Sequence, residues 1–283
     1  MKIKSVGVVG AGTMGNGIAQ VCAAAGLKVI MQDIGEAQVQ LGLETLNTSM
    51  DRMIKKEKIS ESDKQQALSN IETATALEAL AEVDIVIEAA TENETLKLGI
   101  FEQLDQICKA DAILASNTSS ISLTRIAGVT QRAGQVIGMH FMNPVPMMAL
   151  VEVIRALQTD DTTYQQVHEL SEHIGKVPVE ARDSPGFVAN RILIPMINEA
   201  VYTLYEGIAS AEAIDEVMKL GMAHPMGPLA LADLIGLDTC LSVIRVLHEG
   251  FGDSKYRPCP LLQQMVDAGY LGRKSGRGFY QYD

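Results

Sequence analysis

The first fifteen residues constrain the fold of this chain more than any other stretch. Residues 3–9 form an apolar run that is long enough for one buried strand. The run leads directly into Gly10-Ala11-Gly12-Thr13-Met14-Gly15, a G-x-G-x-x-G sequence. Apolar residues then recur at helical spacing until Gly26. A strand, a glycine turn and a helix in this order predict the first βα unit of a dinucleotide-binding sheet.

The residue types in this turn suit a bound pyrophosphate. Gly10 permits a tight turn, Gly12 lets the backbone approach the phosphates, and Gly15 lets the helix pack closely on the strand. Thr13 and Met14 begin the helix, whose first N–H groups point at the anion. We therefore predict that these five residues bind a cofactor. The alternative is a glycine-rich turn that binds no ligand.

A second predicted strand, residues 28–32, ends at Asp33. This acid lies where a dinucleotide site needs a carboxylate for the hydroxyl groups of the adenine ribose. A carboxylate there repels a 2′-phosphate, so we expect the protein to prefer NAD to NADP. Lys28, five residues upstream, is a cation that could offset this repulsion.

A long amphipathic helix is predicted to follow and to reach about Lys56. Its end is basic, and Arg52 and Lys56 are four residues apart, hence on one face. The chain as a whole has a formal charge of −12, which argues against a nucleic-acid partner. A ligand with several phosphates would need a local cluster of cations such as this one. The other interpretation is a solvated helix end whose cations suit the helix dipole.

Polar residues follow two further buried strands, at the strand ends where open α/β sheets bind their ligands. Glu88 and Glu92 follow the strand at residues 85–87. The run Ser116-Asn117-Thr118-Ser119-Ser120 follows the strand at residues 112–115. One of these residues could serve as a helix cap, but the whole run offers hydroxyl groups and an amide to a ligand.

The spacing of one histidine and one glutamate predicts a contact between them. The strand at residues 136–139 leads to His140, and the strand at residues 150–154 has Glu152 at its centre. The two positions are symmetric about Pro146, in a segment that its prolines mark as a turn. Facing residues of an antiparallel pair have Cβ atoms about 5 Å apart. We therefore predict a hydrogen-bonded His–Glu pair, a better catalytic candidate than any of the other four histidines.

The pattern of elements changes at Asp183-Ser184-Pro185-Gly186. Strands and helices alternate before this segment, and helices follow it almost alone, at residues 187–206, 211–220, 229–251 and 261–268. The predicted fold is an α/β Rossmann-like domain with a mostly parallel sheet at residues 1–183, then an all-α domain at residues 184–283. The first helix of the second domain is apolar on nearly all sides, which predicts burial, with Asn190 as a polar exception.

Composition restricts the remaining function classes. Hydrophobic residues make up 47% of the chain and charged residues 20%, which is typical of a globular protein. No apolar run approaches the roughly 20 residues of a membrane helix. Because the first strand begins at Ile3, we expect no signal peptide, no membrane partner and a cytoplasmic location. The four cysteines are far apart, which predicts reduced thiols and no metal site.

The longer motifs resemble the (S)-3-hydroxyacyl-CoA dehydrogenase family, in particular its bacterial 3-hydroxybutyryl-CoA type. The resemblance covers essentially the whole chain. It is carried by the serine-rich run and by His-Phe-Met-Asn-Pro-Val-Pro, Pro-Gly-Phe-Val-Ala-Asn-Arg, His-Pro-Met-Gly-Pro and Gly-Arg-Lys-Ser-Gly-Arg-Gly-Phe-Tyr. These segments are far more specific than the glycine motif.

The resemblance implies an NAD-dependent oxidoreductase that interconverts (S)-3-hydroxyacyl-CoA and 3-ketoacyl-CoA, and that forms a homodimer through the C-terminal domain. The family's catalytic residues correspond to Ser119, His140, Glu152 and Asn190. Its cofactor contacts correspond to the glycine turn, Asp33, Glu92, Lys97 and Asn117. Its coenzyme A contacts point to Arg52 and Lys56, with Ser119 and Asn190 as further substrate ligands.

The implied chemistry gives each catalytic residue a role. His140 would take and return the proton of the C3 hydroxyl, and Glu152 would orient the imidazole ring. Ser119 and Asn190 would bind substrate oxygens. Two alternatives stay open: a dehydrogenase of the same fold that acts on a free hydroxy acid such as a sugar acid, and a nucleotide-binding protein without catalysis. The basic pair argues against the first, and the intact His–Glu pair argues against the second.

Overall fold

The computed structural model describes residues 2–282. The chain forms two compact units, the first ending at Asp183 and the second beginning at Ser184. Each unit has a hydrophobic core of its own.

The first unit is built on one eight-stranded sheet. Its strands are β1 (Ser5–Val9), β2 (Lys28–Gln32), β3 (Ile71–Ala74), β4 (Ile85–Glu88), β5 (Ile113–Ser116), β6 (Val136–Phe141), β7 (Leu150–Arg155) and β8 (Val177–Arg182). They lie in the order β3-β2-β1-β4-β5-β6-β7-β8. All neighbours are parallel except β6 and β7. The predicted Rossmann-like, mostly parallel architecture is confirmed.

Helices connect these strands, as the alternation of strands and helices predicted for this part of the chain. They are α1 (Thr13–Ala24), α2 (Glu36–Lys55), α3 (Glu61–Ser69), α4 (Glu94–Ile107), α5 (Leu123–Gly128) and α6 (Asp161–His173). Short polar side chains begin several of them: Ser60, Asn93 and Ser122 each accept a hydrogen bond from a backbone N–H of the first turn.

Two short elements of this unit lack a clear sequence signal, and we did not predict them. Strand β3 has four residues at the sheet edge, and none of them is fully buried. Without a buried face, a strand needs no apolar run. Helix α5 has six residues, fewer than two turns, so no period can be read from it.

The sheet brings the carboxyl ends of several parallel strands to one edge. Strands β2, β1, β4, β5 and β6 lie next to one another in that order and run in the same direction. The chain order reverses between β1 and β4, the type of position at which doubly wound sheets bind ligands. The segments that follow these five strands therefore lie side by side.

The second unit is built from helices, as predicted, with isolated β-bridges between residues 272 and 281. Its helices are α7 (Ala189–Tyr205), α8 (Ala211–Gly221), α9 (Pro228–Ile235), α10 (Leu237–Phe251) and α11 (Pro260–Asp267). Two buried carboxylates fix its chain: Asp215 accepts from the backbone of Leu229 and Ala230, and Asp233 from that of Phe279 and Tyr280. Along residues 2–282, no helix combines the length and apolar composition that a membrane span requires.

The prediction of one helix over residues 229–251 was wrong. Helices α9 and α10 are separated at Gly236, whose φ of 104° is incompatible with a continuing helix. A residue with a Cβ is strained at this φ, so glycine permits the break. The apolar spacing continues across the break, and for that reason periodicity alone did not reveal it.

The four cysteines are free and buried, as expected. Burial raises the pKa of the Cys22 thiol to about 12, although the nearby Lys176 lowers it slightly. In the part of the chain that the structure describes, no cluster of three or more His, Cys, Asp or Glu side chains could hold a metal ion.

Candidate active site

The glycine turn after β1 has the geometry of an anion-binding loop. Gly10 has a φ of 97°. A Cβ on Gly15 would lie 1.7 Å from the Gly10 carbonyl oxygen, whereas a Cβ on Gly12 would meet nothing within 4 Å. Helix α1 has no side-chain cap and no acid in its first turn. The first N–H groups of the helix therefore face open space and can bind phosphate oxygens.

Asp33 is fixed against this turn. Its Oδ2 accepts a hydrogen bond of 2.7 Å from the Ala11 amide, and its Oδ1 accepts one of 2.7 Å from the Ile34 amide. Lys28 begins β2, and five residues of extended chain place it about 16 Å from Asp33. Lys28 is therefore too distant to offset the repulsion between the Asp33 carboxylate and a phosphate.

A cavity of about 530 Å³ lies between Asp33 and the glycine turn. Its walls are largely apolar, and no lysine or arginine of the described residues lines it. The lining includes Thr13, Met14, Ile34, Leu77, Leu96 and Ile100. An apolar slot beside a carboxylate suits an adenosine group, and the open helix N-terminus suits its phosphates. The residues present thus fit a dinucleotide.

Lys97 faces inward from α4. Its side chain is only 1% exposed, and its Nζ lies 2.6 Å from Oε1 of Glu88, at the end of β4. The same ammonium lies 3.5 Å from Oε2 of Glu92. A direct contact between Lys97 and a cofactor is therefore not part of this arrangement, and that role stays a prediction.

Glu92 holds the serine loop, which we define as residues 117–120. Its Oε1 accepts hydrogen bonds from the Ser119 amide at 3.0 Å, the Ser120 amide at 3.1 Å and the Ser120 hydroxyl at 2.8 Å, and it also binds the Thr118 hydroxyl. Burial tends to raise the pKa of Glu92, but the Lys97 charge and the hydrogen bonds from the loop outweigh burial and hold the pKa below its ordinary value. The ionised carboxylate thus organises the loop.

Asn117 connects the serine loop to the histidine strand. Its Oδ1 accepts a hydrogen bond of 2.8 Å from the Phe141 amide, next to His140. The hydrogen bond between Asn117 and Phe141 places the serine loop beside His140. The contact of Asn117 with a cofactor stays a prediction.

His140 and Glu152 form the predicted pair. They face each other in the antiparallel register of β6 and β7, and His140 Nδ1 lies 2.7 Å from Glu152 Oε2. His140 is 8% exposed and Glu152 is 2% exposed. Opposite an ionised carboxylate, which only accepts hydrogen bonds, we assign the proton to Nδ1 and the basic role to Nε2. This is the arrangement of a general acid–base.

The basic residues Arg52 and Lys56 lie at the end of α2, and both are exposed. Among the described residues neither forms an ion pair, and the neighbouring Asp51 is bound by Lys64 at 2.6 Å. Lys58 Nζ lies 3.9 Å from Met147 Sδ, in the proline loop (residues 143–148) that joins β6 to β7. Arg52 and Lys56, which we call the basic cluster, thus belong to a basic segment whose Lys58 contacts the loop that follows His140.

Asn190 belongs to the first turn of α7 in the second unit and is half-buried. The fully buried amide of this helix is Asn198, which we did not single out. Its Nδ2 donates to the Arg257 carbonyl at 3.0 Å and its Oδ1 accepts from the Cys259 amide at 2.8 Å. Asn198 thus has a structural role, and the catalytic role of Asn190 stays a prediction.

Along the sheet edge the predicted residues follow the strand order. Asp33 follows β2, the glycine turn follows β1, Glu92 follows β4, the serine loop follows β5, and His140 lies near the end of β6. Four strand spacings separate β2 from β6, about 19 Å in all. A dinucleotide site and an acid–base pair thus share one edge.

Known proteins resemble this chain along nearly its whole length. The family model described as "3-hydroxyacyl-CoA dehydrogenase, NAD binding domain" matches residues 5–184, and "3-hydroxyacyl-CoA dehydrogenase, C-terminal domain" matches residues 186–282. A probable 3-hydroxybutyryl-CoA dehydrogenase of Bacillus subtilis is 57% identical over 283 residues, which cover 100% of this chain and 99% of the relative. A 3-hydroxybutyryl-CoA dehydrogenase of Bradyrhizobium diazoefficiens is 55% identical over 280 residues, with 99% and 96% coverage.

Solved structures show the same likeness. The crystal structure of an (S)-3-hydroxybutyryl-CoA dehydrogenase from Ralstonia eutropha superposes with a TM-score of 0.97 at 60% identity, and the match covers 100% of both chains. Family models span nearly the whole sequence, and the likeness extends from the glycine turn through the helical unit. The chain therefore belongs to the 3-hydroxyacyl-CoA dehydrogenase family, and its first unit is that family's NAD-binding domain.

Proposed function

We propose that this protein is an NAD-dependent dehydrogenase that interconverts short-chain (S)-3-hydroxyacyl-CoA, such as 3-hydroxybutyryl-CoA, and the corresponding 3-ketoacyl-CoA, acetoacetyl-CoA. The observation that carries the proposal is the His140–Glu152 pair, with a nitrogen–oxygen distance of 2.7 Å, at the sheet edge that holds the dinucleotide turn. The printed names of the relatives supply the substrate.

The side chains of the pair divide the proton chemistry. A nicotinamide dinucleotide held by the glycine turn and Asp33 would supply the hydride acceptor. During oxidation, His140 Nε2 removes the proton of the C3 hydroxyl, and during reduction the imidazolium returns it. Glu152 accepts a hydrogen bond from Nδ1–H, which fixes the tautomer and stabilises the imidazolium.

Two further side chains would orient the substrate. Ser119 lies in the loop that Glu92 and Asn117 fix beside His140, so its hydroxyl suits a substrate oxygen. Asn190 would bind a second substrate oxygen, and the support for this role is the family motif in which it lies.

The proposed substrate is tested by NADH-dependent reduction of acetoacetyl-CoA, longer 3-ketoacyl-CoAs and free 3-keto acids under one set of conditions. We expect the highest kcat/KM for acetoacetyl-CoA. Equal or better turnover of a free acid would favour the free-acid alternative. Cofactor binding without turnover of any of these compounds would favour a non-catalytic nucleotide-binding protein.

Coenzyme A should be recognised by the basic cluster. We expect Arg52→Ala with Lys56→Ala to raise KM for acetoacetyl-CoA several-fold, with little change in kcat, because exposed ion pairs contribute about 0–1 kcal/mol each and act equally on substrate and transition state. The increase should shrink as salt is added. Initial rates at low and high ionic strength measure both effects.

A matched control removes two cations elsewhere on the same unit. Lys4 and Lys28 are exposed at the amino end of the sheet, so Lys4→Ala with Lys28→Ala changes the net charge equally without affecting the cluster. A truncated thioester without the nucleotide should bind the cluster variant normally. A KM at low salt that equals the wild-type value would show that the cluster is only a solvated helix end.

The cofactor preference should follow from Asp33. Its carboxylate lies beside an apolar cavity that no described cation lines, so a 2′-phosphate would have no partner. We expect kcat/KM with NAD to exceed that with NADP by at least about tenfold, which corresponds to about 1.4 kcal/mol. Asp33→Asn should reduce the ratio of kcat/KM with NAD to kcat/KM with NADP, mainly by raising kcat/KM with NADP. Equal efficiency of the two cofactors with the wild-type enzyme would contradict this assignment.

A second copy of the chain would cover apolar side chains of the helical unit. Val217 and Leu220 on α8 and the adjacent Met222 are 62%, 78% and 60% exposed, an arrangement typical of a homodimer surface. Light scattering on the eluted protein would give its mass and test the dimer.

Four buried free thiols also support a reducing cytoplasmic location.

A further inference from the structure

Glu88 and Lys97 form an ion pair in the interior of the first unit. Their side chains are 0% and 1% exposed, and Lys97 Nζ lies 2.6 Å from Glu88 Oε1. Removing two charges from water is so costly that such pairs seldom stabilise a fold more than apolar side chains of the same size would. Stability alone therefore does not explain why this ion pair is buried here.

Every polar atom of Glu88 is used. Its Oε1 also accepts a hydrogen bond of 2.7 Å from the Ala90 amide, and its Oε2 accepts one of 2.7 Å from the Ser116 hydroxyl. Lys97 donates a second hydrogen bond, of 3.3 Å, to the Ala90 carbonyl. These hydrogen bonds fix the position and the orientation of the Lys97 ammonium group.

That orientation directs the remaining positive charge towards Glu92, whose Oε2 is 3.5 Å away. The other oxygen of Glu92 is the acceptor for the serine loop. Glu88, Lys97 and Glu92 thus form a row of negative, positive and negative charge, which we call the charge row. It begins in the buried end of β4 and ends at the backbone of Ser119.

We propose that Glu88 is a positioning residue for the reaction: through Lys97 it fixes Glu92, and Glu92 places the Ser119 hydroxyl for the substrate. The inference rests on the proposed function, because it assumes that Ser119 binds a substrate oxygen. In this role Lys97 acts on two carboxylates of the protein. A misplacement of about 1 Å in a positioning group can cost on the order of 100-fold in rate, so a remote buried pair can control turnover.

The test separates positioning from stability by removing both charges together. Glu88→Gln or Lys97→Met alone leaves an unpaired buried charge and should lower the Tm. Glu88→Gln with Lys97→Met contains no buried charge, and its Tm should return towards the wild-type value. If the charge row positions Ser119, kcat for acetoacetyl-CoA at saturating NADH should nevertheless stay about 10- to 100-fold below wild type.

Glu92→Gln keeps the test valid if the double variant folds poorly. The Glu92 side chain is 36% exposed, so this substitution is compatible with folding. It should reproduce the loss of kcat. Adding Glu88→Gln to Ser119→Ala should cost less than about twofold more, because two changes that act through one hydroxyl are not additive.

Hydrogen exchange gives a readout that needs no substrate. In the double variant the amides of Ser119 and Ser120, which donate to Glu92, should exchange faster than in the wild type. Unchanged protection of these amides would overturn the proposal whatever reaction the enzyme performs. Recovery of kcat together with Tm would also overturn it, and so would a large rise in the NADH dissociation constant at unchanged kcat. Failure of the wild type to reduce 3-ketoacyl-CoA would instead contradict the proposed function.

Discussion

His140→Gln should lower kcat by about 10²–10⁴-fold and leave cofactor binding close to wild type. Glutamine can accept and donate hydrogen bonds but cannot take up a proton near neutral pH, so the C3 hydroxyl loses its base. The side chain is 8% exposed, and Asp33 lies about 19 Å and the glycine turn about 14 Å away across the sheet edge. Steady-state rates with acetoacetyl-CoA, together with a fluorescence titration of NADH, measure the two quantities separately.

The matched control is another histidine of the same unit. His168 lies on α6 and is half-buried, and its only described ion-pair partner is Glu172 at 3.7 Å. His168→Gln should therefore retain full activity. If His140→Gln kept its kcat within a few-fold of wild type, His140 would not be the proton carrier.

Glu152→Gln should be nearly as severe. The neutral amide no longer stabilises the imidazolium, and its NH₂ group can donate to Nδ1, which would move the ring proton to Nε2 and block the base. In protease triads the corresponding change costs about 10⁴-fold in kcat. Since Glu152 is 2% exposed, the isosteric substitution keeps the packing of β7, and we expect a loss of about 10²–10⁴-fold.

Rates in both directions of the reaction test the role of Glu152. Oxidation needs the neutral imidazole of His140, and reduction needs the imidazolium. Both rates should be low in Glu152→Gln, because the amide no longer gives the imidazole ring a carboxylate partner. A wild-type rate in either direction would remove Glu152 from the mechanism. Circular dichroism of the variant provides the control for folding.

The sequence predicted those parts of the site that depend on local spacing. The glycine turn is a contiguous motif, and His140 and Glu152 are related by symmetry about one turn, so a pattern with a period of two residues suffices to place them opposite each other. The two-unit architecture likewise follows from where alternating strands and helices give way to helices alone.

Other features of the site and of the fold depend on contacts between residues that are distant in the chain. Lys97 on an amphipathic helix looks like an exposed cation, and its burial is explained only by Glu88 on the neighbouring strand. The break at Gly236 was missed because apolar spacing continues through it. Asn190 and Asn198 lie on the same helix, and only the packing of the Arg257–Cys259 segment shows which amide is buried. Such features need tertiary contacts that no local pattern contains.

The antiparallel pairing of β6 and β7 limits where residues can be inserted or deleted when the substrate range of the enzyme is altered. A strand that slips by one residue turns every side chain to the opposite face of the sheet. One residue inserted between Leu150 and Glu152 would therefore separate the carboxylate from His140, although no catalytic side chain had been changed. Insertions in the proline loop would forfeit the bonds from Lys176 to the carbonyls of Val145 and Met148 but would preserve the pair. Library designs that vary segment length should therefore keep β6 and β7 constant and place their diversity in the loop between them.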